Sequence, residues 1–217
     1  MTLSIREPGS AITHFIAMIL AFIAGFPLLT KASNYSTSCV VAMLIFIVSM
    51  ILLYAASTIY HSINLSDKII KTFRKIDHMM IFILIAGSYT PVCMLALDKN
   101  VGYPLLTSVW ALAIIGIVVK ALWITCPKWF SSLIYIAMGW MCVFALGPIL
   151  NCLPKAAFNW LLAGGIIYTV GGIIYALKLP LFDAKHINFG LHEIFHLFVM
   201  GGSFCHFIVM YQYVIAM

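Results

Sequence analysis

CVVAMLIFIVSMILLYAASTIYHSI (39–63) is a continuous apolar run of 25 residues that closes on a histidine. A hydrocarbon core of about 30 Å needs about 20 apolar residues in a helix rising about 1.5 Å per residue, whereas a barrel strand alternates and needs only about ten. The run therefore reads as one transmembrane helix, and the rest of the chain repeats it. Breaks in hydrophobicity set off six more segments, at 11–29, 76–97, 103–125, 129–150, 156–177 and 189–216. Pro127 and Pro154 lie between segments, Pro180 follows the sixth, and Lys, Asp and Asn gather at the breaks. Composition agrees: 64% of the 217 residues are hydrophobic, 8% are charged and the mean hydropathy is +1.11. An ordinary soluble domain is about a quarter charged.

Seven spans use about 140 residues and leave about ten for each loop and tail, too few for a soluble catalytic or ligand-binding domain. The expectation is an all-α integral-membrane bundle of seven transmembrane helices, one domain over 1–217, in a plasma or bacterial inner membrane. Function must then be built from the spans and their ends. Nucleic-acid binding, dinucleotide chemistry and secreted disulfide scaffolds are poor matches. The six cysteines form no C-x-x-C pair, lie mostly in apolar runs and read as small hydrophobes. The first apolar run is long for a signal peptide, and TKASN after it has no small-x-small cleavage site, so it reads as an uncleaved helix.

Twelve Lys and Arg against six Asp and Glu give a net charge of +6. Arg6, Lys68, Lys71, Arg74, Lys75, Lys120, Lys128, Lys178 and Lys185 fall on one side of a seven-span chain, while Lys31, Lys99 and Lys155 fall on the other. The positive-inside rule then puts the amino terminus in the cytoplasm and the carboxyl terminus outside. That is opposite to a G-protein-coupled receptor, and no G protein is expected as a partner. The sequence sets no oligomeric state. Lys68, Lys71, Arg74 and Lys75 attract anionic headgroups as a secondary effect. Gly pairs at 164–165 and 171–172 read as close helix packing rather than a moving seam, Pro91 should kink the third helix, and His186 reads as a loop residue.

A charged side chain at a helix centre costs about 2.5–3.5 kcal/mol on insertion scales, so ionisable groups in spans need a reason. With spans alternating in direction, His61 at the end of the second helix, Asp77 and His78 in the third, and His192, Glu193 and His196 at the start of the seventh all meet at one level, the cytoplasmic one. His192 and His196 are four apart on one helix face, and His61 can add a third nitrogen. Three protein nitrogens with a fourth position for water is the pattern of a catalytic zinc. Hydrogen-bonded interfacial histidines are the alternative. Asp77 can hold and deprotonate the water, and Ser57, one turn before His61, can steady a developing oxyanion. HEIFH (192–196) also matches the H-E-x-x-H of zinc proteases, but Val199 stands where their extended motif has Gly, and the base role is placed on Asp77 before Glu193. His206 is about 15 Å farther along the helix than His196, too far for the same ion. His14 and Glu7 share a face and read as a cap and a packing hydrogen bond, and His78 as an interfacial partner. Trp123, Trp160 and Tyr213 read as interfacial anchors. Glu193, His78, His14 and Glu7 are candidates for supporting the ligands from behind.

At these residues the chain resembles the hemolysin III family, within the larger progestin and adipoQ receptor superfamily. The likeness covers nearly the whole chain, through EPGSAITH (7–14), STIYH (57–61), KIDH (75–78), AGSYTP (86–91) and FGLHEIFHLFVMGGSFCHF (189–207). It departs at Ser10, where Asn is more usual. The resemblance implies seven helices with the amino terminus inside and a zinc held by His61, His192 and His196, with Asp77 on the zinc-bound water and Ser57 in the same polar core. Receptor members have lipid-amide hydrolase activity at this site, and related alkaline ceramidases use a similar one. The bacterial branch has been named for haemolysis or as channel-like.

Three functions follow as expectations. One is a zinc-dependent hydrolase of lipid amides or esters, with membrane lipids as partners; the second is a pore with a structural zinc; the third is a sensor of membrane lipid composition. Polar groups gathered at one end favour a site over a pore, which would carry polar faces along several spans. No large receptor tail is present, so an extracellular protein ligand is not expected.

Overall fold

The computed structural model of the chain describes residues 5–177 and 190–217. Lys178, Pro180, Lys185 and His186, invoked above for topology and loops, lie outside the described residues. Among the described residues there is no strand, and seven helices are long and apolar enough to cross a membrane. They are Pro8–Ala32, Thr37–Ser62, Asp67–Ala96, Lys99–Leu122, Lys128–Cys152, Lys155–Leu177 and Leu191–Ala216, called the first to seventh spans below. The chain is an integral membrane protein.

Three local features differ from a set of plain apolar rods. The third span begins at Asp67, nine residues before its apolar run, because DKIIKTFRK (67–75) continues the helix beyond the apolar stretch, with Asp67 in the first turn. An acidic first turn complements the helix dipole, and a helix emerging from lipid has no need to stay apolar, so charge marked the membrane edge rather than the helix start. At Pro91 the α-helix gives way to a π-helical turn, Val92–Ala96, with the Leu97 amide donating to the Val92 carbonyl at 3.1 Å. This is where a proline was expected to disturb the helix, since it brings no N–H and its ring crowds the preceding turn. The fifth span is broken too: Lys128–Gly139 is α, Trp140–Ala145 is 3-10, and Leu146–Cys152 is α again. Pro148 removes the donor that the Phe144 carbonyl would have used.

Neighbours in sequence pack as neighbours in space, and the first span touches both the second and the seventh, which closes the bundle. The second span is the most enclosed, burying Met43, Phe46, Ile47, Leu53 and Tyr54. Large apolar side chains such as Leu20, Phe26, Ile114, Ile115 and Val118 point outward, as expected when the solvent around the spans is lipid.

The glycine pairs of the sixth span divide by what faces them. A Cβ on Gly171 would run into Phe198 and one on Gly164 into His206 and Cys205, all on the seventh span, whereas Gly165 has nothing near it. Gly171→Leu is expected to destabilise the protein by about 1–3 kcal/mol, the usual cost of overpacking. Gly165→Ala should leave stability unchanged, and thermal unfolding of both variants in detergent checks the pair. Equal midpoints would remove the static-packing reading.

Candidate metal centre

His61 lies in the last turn of the second span, and His192 and His196 open the seventh. Because the spans alternate in direction, these helix ends meet, and one ligating nitrogen from each ring lies within 4.8 Å of the others. His61 and His192 bring their Nε2 atoms to 3.2 Å. Two nitrogens each about 2.0–2.1 Å from a tetrahedral ion are about 3.3–3.4 Å apart, so this edge already has the length a metal would impose. His61 and His196 are almost fully buried.

The partners behind the rings determine which nitrogen carries the proton. Glu7 precedes the first span, its amide donates to the His61 carbonyl at 3.0 Å, and its carboxylate accepts from His61 Nδ1. With Nδ1 protonated, His61 Nε2 keeps a bare lone pair for the cluster. The hydrogen bond from His61 holds the Glu7 carboxyl below the usual glutamate range, against the opposing effect of partial burial. Thr13 does the same for His196. Its hydroxyl donates to the carbonyls of Gly9 and Ser10, at 3.0 and 2.9 Å, so its oxygen is left to accept from His196 Nδ1 at 3.1 Å. His196 Nε2 is therefore bare as well. Two imidazole nitrogens freed by partners behind their rings, with His192 beside them, fit a divalent transition metal ion.

Glu7 and His14, which share a face of the first helix, go to different partners. Glu7 turns to His61, while His14 stacks flat on His196, with ring centroids 3.5 Å apart and planes at 6°. Both His14 nitrogens are buried without a hydrogen-bond partner among the described residues. Glu193 faces elsewhere: it accepts the Gly190 amide at 2.7 Å and the Ser10 hydroxyl, fixing the start of the seventh span against the first. That arrangement takes it away from the base role of the protease pattern. Sequence reading gave Ser10 no role and passed over Thr13. The signal was present, since Glu7, Ser10 and His14 recur at helical spacing in one motif.

Asp77 and Ser57 line a cavity of about 150 Å³ together with His14, His192 and His196. Asp77 is buried and stands outside the three-nitrogen group, with one carboxylate oxygen 3.5 Å from His78 Nδ1. His78 donates that proton to the Arg74 carbonyl at 2.8 Å. The Ser57 hydroxyl is buried with no partner among the described residues, so it is available to whatever enters the cavity. His206 lies apart from the metal group, donating to the Gly202 carbonyl at 2.8 Å. It lines this cavity and also an adjoining one of about 220 Å³ walled by Leu105, Ile149, Phe158, Leu161 and Leu162.

The chain is 42% identical over 212 residues to Hemolysin-3 of Bacillus cereus, covering 97% of this chain and 92% of that one. It is 40% identical to the Hemolysin-3 homolog of Bacillus subtilis (strain 168) over 91% of this chain and 89% of the relative. More distantly, it is 26% identical to Progestin and adipoQ receptor-like protein 1 of Caenorhabditis elegans, across 93% of this chain and 50% of that protein. The family model described as Haemolysin-III related matches residues 3–207, and with these relatives it shows that the chain belongs to that family.

Proposed function

We propose that the protein is an integral-membrane zinc hydrolase of lipid amide or ester bonds, with its site at the cytoplasmic side. The observation that carries this reading is a three-histidine cluster in which His61 and His196 are buried and held from behind by Glu7 and Thr13, and which opens on a cavity holding Asp77 and Ser57. His61, His192 and His196 would hold the ion. Zinc at such a site supplies Lewis acidity toward a carbonyl and lowers the pKa of water to about 7. Glu7 and Thr13 keep the imidazoles aimed, Asp77 accepts a proton as general base, and Ser57 donates its free hydroxyl to charge developing on the substrate oxygen. The apolar chamber beyond His206 gives an acyl chain a route inside the bundle. A pore or a lipid sensor would need the same metal only to hold helices together.

A reporter placed near Lys71 is expected inside the cytoplasm and one after Met217 outside, from the nine-to-three division of Lys and Arg. The reverse at both points would move the site to the other face.

Purified protein should carry about one zinc, and His192→Ala or His196→Ala should remove most of it, because two nitrogens are too few. Glu7→Gln should weaken zinc affinity about 10- to 100-fold, the usual cost of losing a partner behind a ligand, while His206→Ala should leave it unchanged. An emptied site in His206→Ala would overturn the ligand set.

Asp77→Asn should keep zinc and lower fatty-acid release from short-chain lipid amides and esters about 100-fold or more. Glu193→Gln should retain most turnover, since that carboxylate is engaged with Gly190 and Ser10. Loss with Glu193→Gln but not Asp77→Asn would transfer the base role. Zinc-replete protein that turns over nothing would favour the pore or sensor.

A further inference from the structure

The six cysteines read as small hydrophobes in the sequence, and one of them is not. Cys126 sits in the turn between the fourth and fifth spans, and its Sγ lies 3.1 Å from Lys120 Nζ and 3.2 Å from Ser131 Oγ. Lys120 also hydrogen bonds to Ser131, closing a triangle of amine, thiol and hydroxyl. Lys120 is 3% exposed and Ser131 is 3% exposed. A lysine near the end of a span ordinarily extends its amine to the polar interface. Here it turns inward instead.

A buried ammonium needs an anion. Among the described residues the ion pairs involve Glu7 and Asp77, and none reaches Lys120. The group in contact that can supply a negative charge is the Cys126 thiol. Cys126 also stands directly before the helix beginning at Lys128, whose amino-terminal end favours a thiolate. Burial raises the Cys126 thiol, but the hydrogen bonds from Ser131 and Lys120, and the charges of Lys120 and Arg74, outweigh it and bring it below its ordinary value. Exposed Leu122, Trp123 and Trp129 flank the turn and mark it as lying at the membrane interface.

We propose that Cys126, Lys120 and Ser131 form a redox-modification site, in which a Cys126 thiolate paired with the Lys120 ammonium is oxidised by small hydroperoxides. The sulfur attacks the terminal oxygen of the hydroperoxide, an S–O bond forms and the O–O bond breaks. Sulfur is oxidised to the sulfenic acid and the peroxide is reduced. The departing oxygen takes a proton from Lys120 Nζ and leaves as water or an alcohol. The ion pair thereby becomes a neutral sulfenic acid beside a neutral amine, so no unpaired charge is left in the buried triangle. Ser131 stays within reach of both products. Among the described residues, the sulfur hydrogen bonds of Cys39, Cys152 and Cys142 are to backbone carbonyls, at 3.5, 3.6 and 3.9 Å, with no amine among them.

The full chain, purified in detergent, would be treated with a few equivalents of hydrogen peroxide in the presence of dimedone, and the adduct mapped by peptide mass spectrometry. Label is expected on Cys126 ahead of the other five cysteines, and Lys120→Met should slow it at least tenfold. Equal labelling of all six, or an unchanged rate in Lys120→Met, overturns the proposal. Should that variant fail to fold, the wild type alone decides through the pH dependence of Cys126 alkylation by iodoacetamide. The groups acting on the thiol are Lys120 from the fourth span, Arg74 from the third, Tyr135 and Ser131 from the fifth and Tyr175 from the sixth. A midpoint below the free-cysteine value of about 8.5 supports the site, and one at or above it refutes it.

Discussion

The contact between Glu7 and His61 is the one on which the rest of the histidine cluster depends. It joins the start of the first span to the end of the second twice, through the backbone and through the carboxylate on Nδ1. Without that carboxylate the His61 ring has no reason to keep its Nε2 unprotonated, and Nε2 facing His192 at 3.2 Å would become a donor as readily as a ligand. The first span is thereby more than a wall. Through Glu7, Ser10, Thr13 and His14 it reaches His61, Glu193 and His196 in turn, so one helix sets the positions of residues on two others.

This explains which parts of the molecule were legible in the sequence. A span announces itself through one overriding source of free energy, the transfer of about 20 apolar residues into lipid, and all seven were readable with their order. The depth of the histidines followed, because direction alternates once the spans are counted. What escaped were features decided by short-range partners. The added turns at Asp67–Lys75 lie outside the apolar run. The 3-10 break before Pro148 depends on one missing amide. Ser10 and Thr13 look like ordinary small residues of a packing face until their hydroxyls are matched to Glu193 and His196. Cys126 was misread for the same reason, since nothing in its neighbourhood in sequence shows that Lys120 turns inward.

The placement of chemistry within the bundle follows from the cost of burying polar groups. Away from the histidine end, apart from His206, the interior is mainly apolar packing with hydroxyls that meet one another, as where Tyr54 and Tyr168 both meet Ser203 at 2.7 and 2.8 Å. Such groups have no spare capacity for a passing ion. Ser57 and His14, which have no hydrogen-bond partner among the described residues, sit against the cluster. A polar group left without a partner in a low-dielectric interior costs about 1–3 kcal/mol, and it is retained where an occupant completes it.

The third span touches both the histidine cavity and the end of the fourth span. Lys75 donates to the Ala121 carbonyl at the end of the fourth span, within two residues of Asp77, which faces the histidine cavity. Lys120, next to Ala121, holds the Cys126 thiol. One turn of the third helix thus contacts both the wall of the cavity and the helix end that carries the lysine. Lys75 and Lys120 both stand at the carboxyl-terminal end of the fourth span, where the helix dipole favours a cation.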